Sequence, residues 1–257
     1  MAAWAPMGGH SIPDSWLRAG SLLAIVVAWQ VAASAADSRL FPGPLTVAQA
    51  MYVHATTGDL VGHVGITLYR VAVSFVIAMA LGTAVGIVMG RSHRTDVMLH
   101  GLLVLGLNIP ALVVIILCFI WFGLTEVAAI SAVAVNKFPI VVVNLREGTR
   151  AINPELLQVA QVFRLGRRRT FFRVYLPQLY PYLMASARSG LALIWKIVLV
   201  VELLGRSDGV GFKLAEFFHF FDIVGILSYS FAFIAVVLAI ELAVIGPLDR
   251  RMREWRP

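Results

Sequence analysis

Arg188, Trp195 and Glu202 recur seven residues apart, so at about 100° per residue they share one stripe of a helix, with Lys196 turned roughly 80° away. All four lie inside an apolar run, where ionisable side chains are expensive and face a partner or a cavity. The stripe therefore reads either as a tie that holds helices together or as part of a solute path. Arg70 and Lys137 are further cations inside apolar runs, and Glu241 is a further acid. Cations outnumber anions there, which points to an anionic solute. In another run Pro110 follows Asn108 and Ile109, removing a backbone donor and freeing a carbonyl one turn earlier. Such a break lines a water-filled path or makes a packed kink. The candidates for a translocation path are Asn108, Pro110, Lys137, Arg188, Trp195, Lys196 and Glu202.

Bond-making chemistry has no foothold. The chain lacks G-x-S-x-G and H-E-x-x-H, and its six histidines do not pair at metal-ligand spacing. The single cysteine, Cys118, sits in an apolar run, so neither a disulfide framework nor a cysteine metal site exists.

These residues must be carried by membrane helices. The chain is 60% hydrophobic and 14% charged, with mean hydropathy +0.85, whereas a soluble domain carries about 25% charged residues. Apolar runs fall at 19–36, 66–89, 97–122, 127–145, 179–204 and 223–245, and a span needs about 20 residues. None shows the period-two alternation of a membrane β-barrel. The expected fold is an all-α membrane protein of about six transmembrane helices, forming one domain over 1–257. The first run, with Arg18 before it and Ala33-Ser34-Ala35 after it, also resembles a cleavable signal peptide; its apolar stretch is longer than usual, and it is read as a retained span. Pro42-Gly43-Pro44 makes a rigid turn, followed by a short helix at 45–57. Ala78, Gly82, Gly86 and Gly90, four apart, line one helix face with small residues and predict close packing.

Basic residues set the orientation. Arg91 and Arg94, the cluster from Arg146 to Arg173, and Arg250, Arg251, Arg253 and Arg256 fall on one side with Arg18. Only Arg39, Arg206 and Lys213 fall on the other. By the positive-inside rule both termini and the long loop 146–177 are cytoplasmic. The net charge of +7 is therefore a matter of topology, and nucleic-acid binding is set aside.

That loop contains a helix. Asn153 is a good N-cap, Pro154 suits the first helical position and Glu155 complements the positive helix terminus. Leu156, Val159, Ala160 and Phe163 then follow at i, i+3, i+4 and i+7, giving one apolar face outside the membrane. Two surfaces could cover it: anionic lipid, with the arginines as anchors, or the groove of a cytoplasmic partner.

The stretch Gln158-Val159-Ala160, three residues, Arg164, nine residues, Val174-Tyr175-Leu176-Pro177 resembles a known signature. It is the EAA signature of permease subunits of bacterial ABC importers (Glu-Ala-Ala, three residues, Gly, nine residues, Ile, any residue, Leu-Pro). Every spacing matches. Gln158 stands for Glu and Arg164 for Gly, so the sharp turn after the helix is expected two residues on, at Gly166. Thr67-Leu68-Tyr69-Arg70-Val71, Pro110 with Trp121-Phe122-Gly123, Arg188 with Trp195 and Glu202, and Gly209-Val210-Gly211 resemble the nitrate/sulfonate/taurine branch.

The resemblance implies a type I importer permease in the bacterial cytoplasmic (inner) membrane. A coupling helix at 154–164 would dock through Glu155, Leu156, Gln158, Val159, Ala160, Phe163, Arg164 and Gly166. It implies two copies of a cytoplasmic ABC ATPase, a second permease copy, and a periplasmic or lipid-anchored solute-binding protein. ATP and Mg would be bound by the ATPase, with no cofactor in this chain, which has no G-x-x-x-x-G-K-[ST]. The solute would be small and anionic, of sulfonate, nitrate or taurine type. The alternative is an ATPase-independent secondary transporter or channel using Lys137, Arg188 and Glu202 as a relay.

Overall fold

The computed structural model describes residues 14–246. Among them the regular structure is entirely helical: α1 (Asp14–Ala36), α2 (Pro44–Thr56), α3 (Leu60–Arg91), α4 (His93–Asn108), α5 (Ala111–Phe122), α6 (Glu126–Arg150), α7 (Pro154–Val162), α8 (Arg167–Thr170), α9 (Leu176–Gly205), α10 (Val210–His219) and α11 (Ile223–Ile240). One π-helical turn, Phe171–Tyr175, leads from α8 into α9, and another, Glu241–Ile245, extends α11.

Three helices are each long and apolar enough to cross a bilayer: Leu60–Arg91, Glu126–Arg150 and the α11 segment Ile223–Ala243. The run at 97–122 departs from expectation. Instead of one span it is the pair α4 and α5, bent by 100°. Ile109, ahead of the proline, is extended at φ −68°, ψ 126°. The proline ring clashes with an α conformation there, so the helix must stop and restart.

The centre of the bundle is α3, α6 and α9. The small-residue stripe of α3 does what its spacing predicts, packing its backbone onto α6. A Cβ on Gly86 would lie 2.7 Å from the Leu145 Cβ and 2.8 Å from the Val142 carbonyl oxygen, and Gly82 meets Val141 in the same way. Such close approach replaces the hydrophobic drive that lipid does not supply between helices. On α9, Ile194, Val198 and Val201 are buried among Val71 of α3 and Ala132 and Val133 of α6.

Peripheral elements close on this core. Gly43 caps α2, with Pro44 in its first turn, and the Gln30 amide oxygen of α1 accepts from the Leu45 amide at 3.4 Å. Trp29 of α1 meets Phe231 of α11 with ring centroids 5.7 Å apart.

Replacing Gly86 by valine should overpack the α3–α6 seam and lower stability by about 1–3 kcal/mol. Gly101→Ala, at a position with open space, should leave it unchanged. Thermal unfolding in detergent compares the two.

Candidate functional site

Two sites lie at opposite ends of the α3–α6–α9 core. At one end, Arg70 of α3 is 1% exposed. Its Nη1 donates to Glu202 Oε1 at 2.7 Å and to the Asp208 carbonyl at 3.0 Å. Nε and Nη2 donate to the two oxygens of Glu126 at 3.0 and 2.5 Å, and Nη2 also reaches Asp208 Oδ1. All five guanidinium N–H groups are thereby used. Glu202, fully buried on α9, accepts through its other oxygen from Thr67 Oγ1 and from the Gly211 amide, both at 2.9 Å. Thr67 Oγ1 in turn accepts from the Val210 amide at 2.9 Å. Gly209, at φ +100°, packs its bare backbone against the Glu202 carboxyl, where any Cβ would overlap it. Arg206 joins the cluster through Glu126 at 2.6 Å.

Of the residues on the α9 stripe, Glu202 ties α9 to Arg70 of α3. Arg188 is exposed and lies 3.9 Å from Glu241. Trp195 is buried edge-on against Phe233 at 5.7 Å, and Lys196 is exposed. The stripe is thus a packing face at Trp195 and Glu202 and an outer surface at Arg188. Two of the carboxylates on Arg70, Glu126 and Asp208, lie outside the apolar runs, so a charge count within the runs missed them. The segment Thr67 to Val71 was the available signal.

The remaining path candidates do not converge on this cluster. Asn108 is exposed and donates to the Val104 carbonyl at 2.7 Å, while Pro110 is exposed at the α4–α5 break. Lys137 of α6 is fully buried, and its Nζ has no hydrogen-bond partner among the described residues. Asn136, its neighbour, donates to the Ala132 carbonyl at 2.8 Å and lies 3.5 Å from the Ala111 carbonyl, which places the α4–α5 break beside this level of α6.

At the other end sits α7. The Asn153 side chain accepts from the Glu155 amide at 2.8 Å, as expected of an N-cap. Leu156, Val159 and Phe163 are exposed, Phe163 by 74%, while Ala160 turns inward. Glu155, Gln158 and Arg164 are also exposed. Leu156, Val159, Phe163, Leu165, Val174 and Pro177 line a groove of about 600 Å³. The helix is anchored from below: the Asn153 amide donates to Gln178 Oε1 at 2.9 Å, and Leu157 packs against the cluster of Leu145, Tyr175 and Leu179. Arg91, at the end of α3, stacks 4.2 Å from the Tyr175 ring centre and donates to its hydroxyl at 3.1 Å.

The end of α7 corrects a second expectation. The helix stops at Val162, not at residue 164. The turn falls on Arg164 itself, at φ +49°, whereas Gly166 is extended at φ −60°, ψ 152°. The Leu165 amide donates to the Ala160 carbonyl and the Arg164 amide to the Gln161 carbonyl, both at 2.9 Å. That is the Schellman closure, with arginine in the left-handed position glycine usually takes.

An all-helical bundle with three helices long and apolar enough to cross a membrane, locked at one end by a buried ion cluster and presenting a short amphipathic helix at the other, is the architecture of a helical membrane protein. Residues 78–253 match the family described as "Binding-protein-dependent transport system inner membrane component", and the chain belongs to that family of ABC importer permeases. It is 30% identical over 244 residues to the putative aliphatic sulfonates transport permease protein SsuC of Bacillus subtilis, covering 94% of this chain and 88% of that one. The taurine transport system permease protein TauC of Escherichia coli is 26% identical over 93% of this chain and 89% of its own. The bicarbonate transport system permease protein CmpB of Synechococcus elongatus is 27% identical over 93% and 87%. A solved structure of the MetNI methionine ABC transporter in an inward-facing conformation shares the fold, with TM-score 0.65 at 16% identity over 77% of this chain and 96% of that one.

Arg70→Ala should destabilise the protein by about 3–5 kcal/mol, because it strands the Glu202 carboxylate. Adding Glu202→Leu should recover part of that loss, and unfolding in detergent measures both. Arg164→Gly should stabilise the α7 turn by about 1 kcal/mol, since glycine enters the left-handed region without a Cβ penalty. Slower hydrogen exchange at the Leu165 amide is the expected sign.

Proposed function

We propose that this chain is the membrane-spanning permease of an ATP-driven importer that moves a small oxyanion, of sulfonate, taurine or bicarbonate type, across the inner membrane by alternating access. The names of the relatives support the solute class. The partnership rests chiefly on α7. Its exposed Leu156, Val159 and Phe163 beside the groove under Pro177 form the apolar face that helix-in-groove docking uses. In this reading α7 seats in one of two cytoplasmic ABC ATPases, which hold the ATP and Mg. The permease works as a pair of copies, and a periplasmic or lipid-anchored binding protein delivers the solute to the opposite end. Both termini then lie in the cytoplasm, a placement that the distribution of arginines supports. Family membership favours this over an ATPase-independent carrier or channel.

The anchoring of α7 supports its role as a coupling element. The Asn153 amide at its start bonds Gln178 of α9, and Leu157 packs on the cluster of Tyr175, which Arg91 of α3 contacts, so a push on α7 has a path to the spanning helices.

Phe163→Asp puts a charge into the docking face without touching a spanning helix. Co-purification with the ATPase should fall more than tenfold while the permease still inserts in the membrane. Wild-type assembly of that variant would place α7 on the lipid surface instead.

A further inference from the structure

Lys137 lies near the midpoint of the 25-residue α6, fully buried, with no hydrogen-bond partner for its Nζ among the described residues. An ammonium in that setting is among the most expensive groups a membrane protein can hold. The carboxylates of the neighbouring helices do not relieve it: Glu126 and Glu202 pair with Arg70 and Arg206, and Glu241 lies by Arg188. The room for Lys137 is nonetheless built. Its Cε and Nζ lie over Gly190 of α9, where any side chain would overlap them. One turn along α9 from Gly190 is the fully buried Ser186, and its hydroxyl accepts from Asn144 Nδ2, two turns along α6 from Lys137, at 2.8 Å. The α6–α9 seam thus holds one uncompensated cation followed by a neutral amide–hydroxyl pair.

We propose that Lys137 is the membrane-embedded anion site of this permease, lying between α6 and α9 and completed by Asn144 and Ser186. Its ligand is a small, singly charged oxyanion, and the missing counter-charge is the solute's own. In the packed seam the ammonium is covered. When α6 and α9 part, it meets the anion, and the gain from neutralising a buried charge is available only in that open state. The amide and hydroxyl then hydrogen-bond the remaining oxygens, which no carboxylate competes for. The proposal rests on the transport reading above and deepens it.

The test uses the full complex with its ATPase and binding protein in proteoliposomes, with isotope-labelled ethanesulfonate and nitrate, both singly charged oxyanions, as probes. Lys137→Met keeps the length of the side chain and removes the charge, and should lower ATP-dependent uptake at least tenfold. In a Cys118→Ala background, Lys137→Cys treated with aminoethyl methanethiosulfonate regains an ammonium and should regain uptake. The neutral propyl methanethiosulfonate, whose adduct has the same length, should not restore it, so a purely structural role predicts equal rescue. Position 137 should resist the reagent without nucleotide and react during ATP turnover. Wild-type uptake by Lys137→Met, equal rescue by both reagents, or a cysteine at 137 that reacts in no state overturns the proposal. A wild-type complex that moves neither these probes nor bicarbonate sinks the transport reading instead, and the labelling pattern at position 137 still decides whether the seam opens onto this residue.

Discussion

The arrangement of the bundle depends on one requirement: a guanidinium buried among apolar helices must have every N–H satisfied from within the protein. Arg70 meets it with five hydrogen bonds drawn from α6, from α9 and from the loop after α9. Hydrocarbon offers no substitute for a missing partner, so the three helices and the loop can meet only in the geometry that brings Glu126, Glu202 and Asp208 to one point. Thr67 and Gly211 fix the second oxygen of Glu202 in the same way, and the bare backbone of Gly209 lets the loop come close enough. The cluster specifies register more than it adds stability, since removing one member leaves an unpaired charge.

From that fixed end the contacts along the core change character. In the middle, Gly82 and Gly86 let α3 lie directly on α6, where van der Waals contact replaces the absent hydrophobic drive. Between α6 and α9 the packing is polar, with Lys137 over Gly190 and Asn144 on Ser186. At the α7 end, stacking of Arg91 on Tyr175 and the Asn153–Gln178 bond tie the protruding helix to the spans. Asp96 on α4 accepts from Arg150 at 2.6 Å and from Arg146 at 3.3 Å, adding α4 to the same end. The bundle is thus locked at one end and carries the exposed amphipathic helix α7 at the other.

Much of this was legible in the residues because the signals were local. The start of α7 follows from Asn153, Pro154 and Glu155, each acting within one turn. The α3 stripe follows from a four-residue period, and the break at Pro110 from a missing N–H. What was not legible was relational. The stripe on α9 named no partner for Glu202, because angular position says nothing about which helix stands opposite. Gly166 was expected to make the turn after α7 because glycine is the usual left-handed residue, yet Arg164 takes that conformation: the Schellman bonds at Leu165 and Arg164 hold it there against its own preference.

By itself, then, the sequence determined that the chain is an all-helical membrane protein, where its coupling-loop helix begins, and that this helix is amphipathic, since periodicity, capping and hydropathy act over a few residues. Tertiary structure alone decided the rest: the 100° bend between α4 and α5, the five-fold pairing of Arg70 with residues from 56 to 138 positions away, the outward place of Arg188 and the solitary burial of Lys137. A charge is compensated by whatever lies within about 3–4 Å in space, and no spacing along the chain records that.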